Sequence, residues 1–247
     1  MATVKFNIWR GDPDSGRFES YDAEISEGMV VLDAVHQIQA VYANDLAVRW
    51  NCKAGKCGSC SAEINGRPKL MCMTRMSDMP KDKPVRIEPM KAFPVIRDLV
   101  TDVSWNYRVK QKVRKFKPRP PDHQDGTWRM SQDDIDRVQE FRKCIECFLC
   151  QNVCHVLREH HLHEEFIGPR QMVYNAALEM HPLDVEDRLE DLKEIGGIGF
   201  CNITKCCTTV CPEGITITDN AIIPLKERVA DRFYDPLKRF FSLFKKR

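Results

Sequence analysis

Twelve cysteines constrain this 247-residue chain more than any other feature. They fall in three tight groups: Cys52, Cys57, Cys60 and Cys72; Cys144, Cys147, Cys150 and Cys154; Cys201, Cys206, Cys207 and Cys211. The N-terminus, MATVKFNIWRG, carries neither an apolar export segment nor an Arg- and Ser-rich transit segment. The chain is therefore expected in the cytosol, where thiols stay reduced and disulfides are rare. Clustering at short spacing is how metal ligands are arranged. Hydrophobic residues make up 43% and charged residues 30% of the chain, which excludes a disordered protein. No stretch approaches the roughly 18 apolar residues that a membrane span requires.

The first group reads C-x4-C-x2-C, with Cys72 following Cys60 after eleven residues. This is the plant-type spacing for a 2Fe-2S cluster, with Cys72 as the separate fourth ligand. Four thiolates must converge on two irons, so three come from one loop and the fourth from a neighbouring segment. Gly55 and Gly58 are expected to let backbone amides approach the sulfurs without a Cβ in the way. A zinc site would usually use two C-x2–4-C pairs instead.

The second group, Cys144, Cys147, Cys150 and Cys154, has the bacterial ferredoxin spacing C-x2-C-x2-C-x3-C, in which the fourth Cys ligates the other cluster. A second run is then required. With Cys201 as its first position, Cys207 and Cys211 take the third and fourth, and the second is Thr204. One cluster thus receives Cys144, Cys147, Cys150 and Cys211, enough for a 4Fe-4S centre. The other receives only Cys154, Cys201 and Cys207, and a cubane corner without a thiolate readily lacks its iron. The expectation is a 3Fe-4S centre. Cys206 is out of register and is read as a non-ligating thiol, the alternative being a fourth ligand that restores four irons.

Around these groups the chain changes character. Val4, Phe6 and Ile8, then Tyr21, Ala23 and Ile25, alternate about the turn-rich Gly11–Gly16, which predicts a hairpin. Val31, Ala34, Val35 and Ile38 recur at helical steps, and Val85-Arg86-Ile87-Glu88-Pro89 reads as a strand. Together these make a small α+β domain over residues 1–107. Residues 108–121, RVKQKVRKFKPRPP, read as a basic linker, either solvated or meeting an acidic surface or anionic headgroups. From 122 to 247 the pattern is helical, with a start signal at Ser131-Gln132-Asp133-Asp134 and further helices over Arg170–Met180, Val185–Ile195 and from Asp219 towards Tyr234. Residues 1–121 carry a net charge of +7 and the remainder −5. His160, His161 and His163 read as exposed or capping. Leu237, Phe240, Phe241 and Phe244 lie at helical steps among cations, a pattern that suits a membrane interface or an anchor, or packing on the protein's own surface.

Clusters of types 2Fe-2S, 4Fe-4S and 3Fe-4S in that order resemble the iron–sulfur subunit of succinate dehydrogenase and fumarate reductase. The resemblance is carried by NCKAGKCGSCSAEING, FPVIRDLVTD at Phe93–Asp102, CIECFLCQNVC and Cys211-Pro212. It implies an α+β chain: an N-terminal β-grasp 2Fe-2S ferredoxin domain followed by an all-α helical ferredoxin domain. It also implies electrons arriving from FAD on a separate flavoprotein subunit and leaving towards menaquinone or ubiquinone at a membrane anchor. The chain would sit peripherally on the cytoplasmic face of a bacterial plasma membrane, with no nucleic-acid partner.

One departure limits the resemblance. Better-known members follow the fourth Cys of the first run with Pro and then Trp, and place His after the first Cys of the second. Here Cys154 is followed by His155-Val156-Leu157-Arg158 and Cys201 by Asn202. The quinone-proximal candidates are therefore His155, Arg158 and Asn202. No catalytic acid–base set and no nucleotide-binding Gly-rich loop is found, so the expected chemistry is electron transfer alone. The competing readings are a zinc-stabilised interaction protein and an electron-transfer subunit for a different dehydrogenase.

Overall fold

The computed structural model describes residues 2–236. The expected interfacial tail, Leu237 to Phe244 with its surrounding cations, lies outside the described residues. The chain forms two compact units. The first takes the described residues up to Trp105, Ile145–Val153 and Val210–Glu213; the second takes Asn106–Cys144, Cys154–Thr209 and the described residues from Gly214 onward. The division is not contiguous in sequence, whereas the Cys and charge patterns suggest two consecutive domains.

In the first unit the expected hairpin forms from β1 (Ala2–Gly11) and β2 (Gly16–Ile25), paired in register from Ala2↔Ile25 to Gly11↔Gly16. β3 (Ser61–Ile64), β4 (Arg67–Leu70) and β5 (Val85–Glu88) complete a mixed sheet of order β2-β1-β5-β3-β4, with β1 and β5 parallel. The helix Val31–Val41 turns Val31, Leu32, Ala34, Val35 and Ile38 inward. They meet a core that includes Phe6, Ile8, Ile64, Val85 and Ile87, all at most 1% exposed. Each large apolar side chain buried there contributes about 1.5–3 kcal/mol. This is the β-grasp arrangement the resemblance implies. Between β6 (Val95–Arg97) and β7 (Val100–Thr101), Asp98 turns the chain at φ 48°. Its carboxylate accepts from the amides of Gly11 (2.9 Å) and Ala47 (2.8 Å), which fixes the entry to the first Cys loop.

The segment Ile145–Val153 joins this unit through buried polar groups. Glu63 on β3 is 0% exposed. Asn152 donates to it from Nδ2 (3.1 Å), and Lys91 stands 3.6 Å away. Asn152 in turn accepts from the Ala92 amide at 3.0 Å. A buried carboxylate needs such partners, and one of them, Asn152, comes from a part of the sequence that the Cys pattern alone assigns to the helical half.

The second unit is helical. Ser131 caps Gln132–Gln139, accepting from the Asp134 amide at 3.2 Å. Gly168–Glu179 and Ile223–Phe233 follow the expected helices closely, the latter preceded by a π-helical turn over Ile217–Ile222. The helix expected over Val185–Ile195 is shorter, Leu189–Glu194, because the residues before it serve a buried cation. Arg188 is fully buried, pairs with Asp184 (2.8 Å) and donates to the carbonyls of Arg114 (2.9 Å) and Lys115 (2.8 Å). Arg114 also pairs with Glu186 and Asp191, and Arg119 with Asp122. The helix Ser104–Lys112 covers the start of the basic stretch. Residues 108–121 are thus tied down by in-chain acids and by Arg188 rather than running free.

Candidate iron–sulfur centres

The first loop lies between the helix Val31–Val41 and β3, so Cys60 directly precedes β3 and Cys72 follows β4 in a 3-10 turn over Met71–Met73. The β3–β4 hairpin returns the chain to its start: the Cys72 amide donates to Cys60 Sγ at 3.4 Å. Asn65-Gly66, both at positive φ, make the tight turn. The amides of Ala54 and Lys56 donate to Cys52 Sγ at 3.4 and 3.3 Å. Amides aimed at sulfur are what a cluster-bound thiolate requires. Burial pushes the Cys60 thiol up to about 12. Cys57 is also penalised by burial, but the Ser59 hydroxyl and amide outweigh this and bring it down to about 7.

Gly55 and Gly58 also keep close contacts clear. A Cβ on Gly55 would lie 2.8 Å from Met73 Sδ, and one on Gly58 would lie 2.5 Å from Cys147 Cα. Gly58 is needed because the backbone of the second Cys group packs directly on the first loop. Ser61 seals this contact, its hydroxyl within reach of the Gly58 (2.8 Å) and Cys147 (2.9 Å) carbonyls.

The two ferredoxin-type runs have one backbone. Cys144 and Cys201 each end a 3-10 turn with nearly equal dihedrals, φ −64°, ψ 117° and φ −73°, ψ 117°. Two residues on, Glu146 (φ 55°) and Ile203 (φ 63°) are left-handed, and four residues on, Phe148 (φ 60°) and Lys205 (φ 61°) are left-handed. Short helices then begin five residues on, at Leu149 and Cys206. In this register Thr204 stands where Cys147 stands, and Cys206 where Leu149 stands. Left-handed conformation costs a non-glycine residue about 1–2 kcal/mol, and a β-branched residue such as Ile203 the more so. Paying that four times at matched positions marks a functional loop.

Within the second unit, Cys154, Cys201, Cys206 and Cys207 line one recess with Thr204, His155 and Asn202. Burial, and then the neighbouring sulfurs of Cys206 and Cys207, raise Cys154 to about 11, against the amides of Val156 and Leu157. Burial also raises Cys207, whose sulfur lies 3.4 Å from the Thr218 hydroxyl. Sulfurs so buried are inert as thiols and suit a soft metal that displaces their protons. Among the described residues, no group of three or more His, Cys, Asp or Glu side chains is set to hold a single metal ion. Of the quinone-proximal candidates, His155 and Asn202 line the recess, while Arg158 pairs with Glu159 at 3.0 Å. Sequence reading missed Lys226, whose ammonium donates to the carbonyls of Cys201 (2.7 Å) and Ile198 (3.1 Å). No local pattern links residues 25 apart.

A β-grasp unit with a plant-type Cys loop and a helical unit, in a chain with paired ferredoxin runs, define a multi-centre iron–sulfur electron carrier. Residues 5–107 match the family described as 2Fe-2S iron-sulfur cluster binding domain, and residues 140–215 that described as 4Fe-4S dicluster domain. The fumarate reductase iron-sulfur subunit of Mycobacterium tuberculosis is 34% identical over 202 residues, 80% of each chain. The succinate dehydrogenase iron-sulfur subunit of Bacillus subtilis is 30% identical over 236 residues, 88% of this chain and 89% of that one. A chain of the solved Mycobacterium smegmatis Sdh1 complex in the apo form is 60% identical, with a TM-score of 0.90 over 95% of this chain and 98% of that one. The chain belongs to the family of succinate dehydrogenase and fumarate reductase iron–sulfur subunits.

Proposed function

We propose that the chain relays electrons through three centres in a succinate:quinone oxidoreductase. Cys52, Cys57, Cys60 and Cys72 would hold a 2Fe-2S cluster, Cys144, Cys147, Cys150 and Cys211 a 4Fe-4S cluster, and Cys154, Cys201 and Cys207 a 3Fe-4S cluster. When bound, such clusters supply one-electron carriers whose potentials follow cluster type, charge and hydrogen bonding. The chain's own part is to fix the thiolates, to aim amides at Cys52 and Cys60, and to keep the buried sulfurs from water. The observation that carries this reading is the shared backbone of the two runs, with Thr204 in place of a ligand.

Electrons would enter from FAD on a flavoprotein subunit and leave towards a membrane anchor and its quinone, with His155 and Asn202 beside the exit centre. The complex would lie on the cytoplasmic face of a bacterial plasma membrane. Among the described residues no helix is long and apolar enough to cross a membrane. Succinate oxidation is the proposed direction; fumarate reduction would use the same relay in reverse. Paramagnetic resonance of the purified complex, air-oxidised and then dithionite-reduced, with iron and sulfide counted, tests the scheme. A three-iron signal when oxidised and two further centres on reduction are expected. Zinc without sulfide would overturn it.

A further inference from the structure

We infer that Cys206 is a reserve ligand that closes the third centre as a four-iron cluster when ferrous iron is available and the centre is reduced. The inference rests on the three-thiolate reading of that centre proposed above.

Three observations carry it. The shared register puts Thr204 at the corner that Cys147 fills in the other run, so the open corner of the cluster faces Thr204. Cys206 Sγ lies 3.3 Å from the Thr204 hydroxyl, so a thiol already touches the side chain standing at that corner. Finally, Cys206 lines the recess with Cys154, Cys201 and Cys207, whereas its counterpart Leu149 is 1% exposed and packed in apolar surroundings. The two positions head the same short helix, but only the second run places a metal-binding atom there. A fourth sulfur in one recess with the three proposed ligands, touching the side chain at the missing corner, has the chemistry to bind a fourth iron.

The step balances without an added oxidant or reductant beyond the relay itself. The relay supplies one electron to the three-iron core, which is then neutral. That core takes up one Fe2+ and becomes a four-iron core of charge 2+. An Fe–S bond forms to Cys206 Sγ, and the Cys206 thiol proton passes to solvent. Because the four-iron centre differs in spin and potential, the exit of electrons would then depend on iron supply.

The test uses the intact purified complex. Its oxidised paramagnetic resonance spectrum is recorded first. The sample is then reduced with dithionite under anaerobic conditions, given excess iron-57 Fe2+, desalted, reoxidised by a one-electron dye still without air, and examined by resonance and Mössbauer spectroscopy. Wild type is expected to take up one iron-57 per chain and lose the three-iron signal. Cys206→Ala and Cys206→Ser are expected to keep that signal and take up none, with the other two centres unchanged. Equal uptake in wild type and both variants, or no uptake by wild type, would overturn the inference. Absence of a three-iron signal in untreated wild type would instead overturn the cluster reading beneath it, and this is seen before iron is added. If neither variant assembles, the Mössbauer parameters of the labelled iron in wild type decide: an all-sulfur site supports Cys206 as its ligand, and a site with an oxygen ligand overturns the inference.

Discussion

The two ferredoxin-type runs differ far less in backbone than in surroundings. Both leave a 3-10 turn, pass through two left-handed residues and enter a short helix at the same steps. Yet Cys147 is 8% exposed and packs on Gly58, while Thr204 is exposed at the rim of a recess. Backbone geometry sets where ligands can stand. The side chain at one position then sets how many irons the site keeps, and the neighbours set whether that position can change.

Exchanging that side chain is the strongest way to break the comparison. Thr204→Cys is expected to abolish the oxidised three-iron signal by completing a four-iron centre. Cys147→Thr is expected to add a second three-iron signal and lower the iron count. If neither changes cluster type under paramagnetic resonance, the register is wrong. Of the two runs, Gly58→Ala should strike only the first, along with the Cys52–Cys60 loop that holds Gly58. Its new Cβ meets Cys147 Cα at 2.5 Å and requires φ 67°, for a loss of about 3 kcal/mol or more. A lower melting temperature with a disturbed four-iron signal and an intact three-iron signal is the expected result.

Acidity gives a sharper contrast still. With Cys154 pushed up to about 11 by burial, its apo thiol stays protonated at neutral pH and must release that proton to bind iron. Cys57, at about 7, is already partly thiolate. Loading of the third centre in the apo protein should therefore improve about tenfold per pH unit between pH 7 and 9, and Cys60, held up to about 12, imposes the same dependence on completing the first loop, where Cys57 alone is ready at neutral pH. Iron-57 uptake against pH measures both. Lys226→Met removes a cation one carbonyl from Cys201, which disfavours the reduced, more negative state. The third centre's potential should fall by on the order of tens of millivolts, with the others unmoved, in a redox titration. The smallest effect belongs to Ile203→Gly. Relief of the left-handed strain should stabilise the helical unit by about 1 kcal/mol in a thermal melt, with no change of cluster type.

Much of this was legible in the sequence because chemistry dictates it. Iron–sulfur ligation fixes Cys spacing, so the three groups and the odd Thr204 can be read without coordinates. The hairpin from Ala2 to Ile25 and the helix at Val31 announce themselves by periodicity, and Ser131 by its cap. The β3–β4 hairpin did not. All four residues of β3 are buried, Ser61 and Glu63 among them, so there is no alternation to read; only Asn65-Gly66 signalled the turn. The unit division was hidden for a related reason. Glu63, Asn152 and Arg188 hold their places through partners dozens of residues away, and such pairings leave no local trace.

The chain enters and leaves the first unit more than once, and this orders its own manufacture. A ribosome releases the β-grasp strands long before Ile145–Val153 and Val210–Glu213. Until then Glu63 lacks Asn152, and Gly58 faces no Cys147. The N-terminal unit therefore gains its last partners only when nearly the whole polypeptide has been translated. A gene divided at the basic stretch would yield a sheet with its apolar core in place but with Glu63 short of Asn152 and Gly58 uncovered.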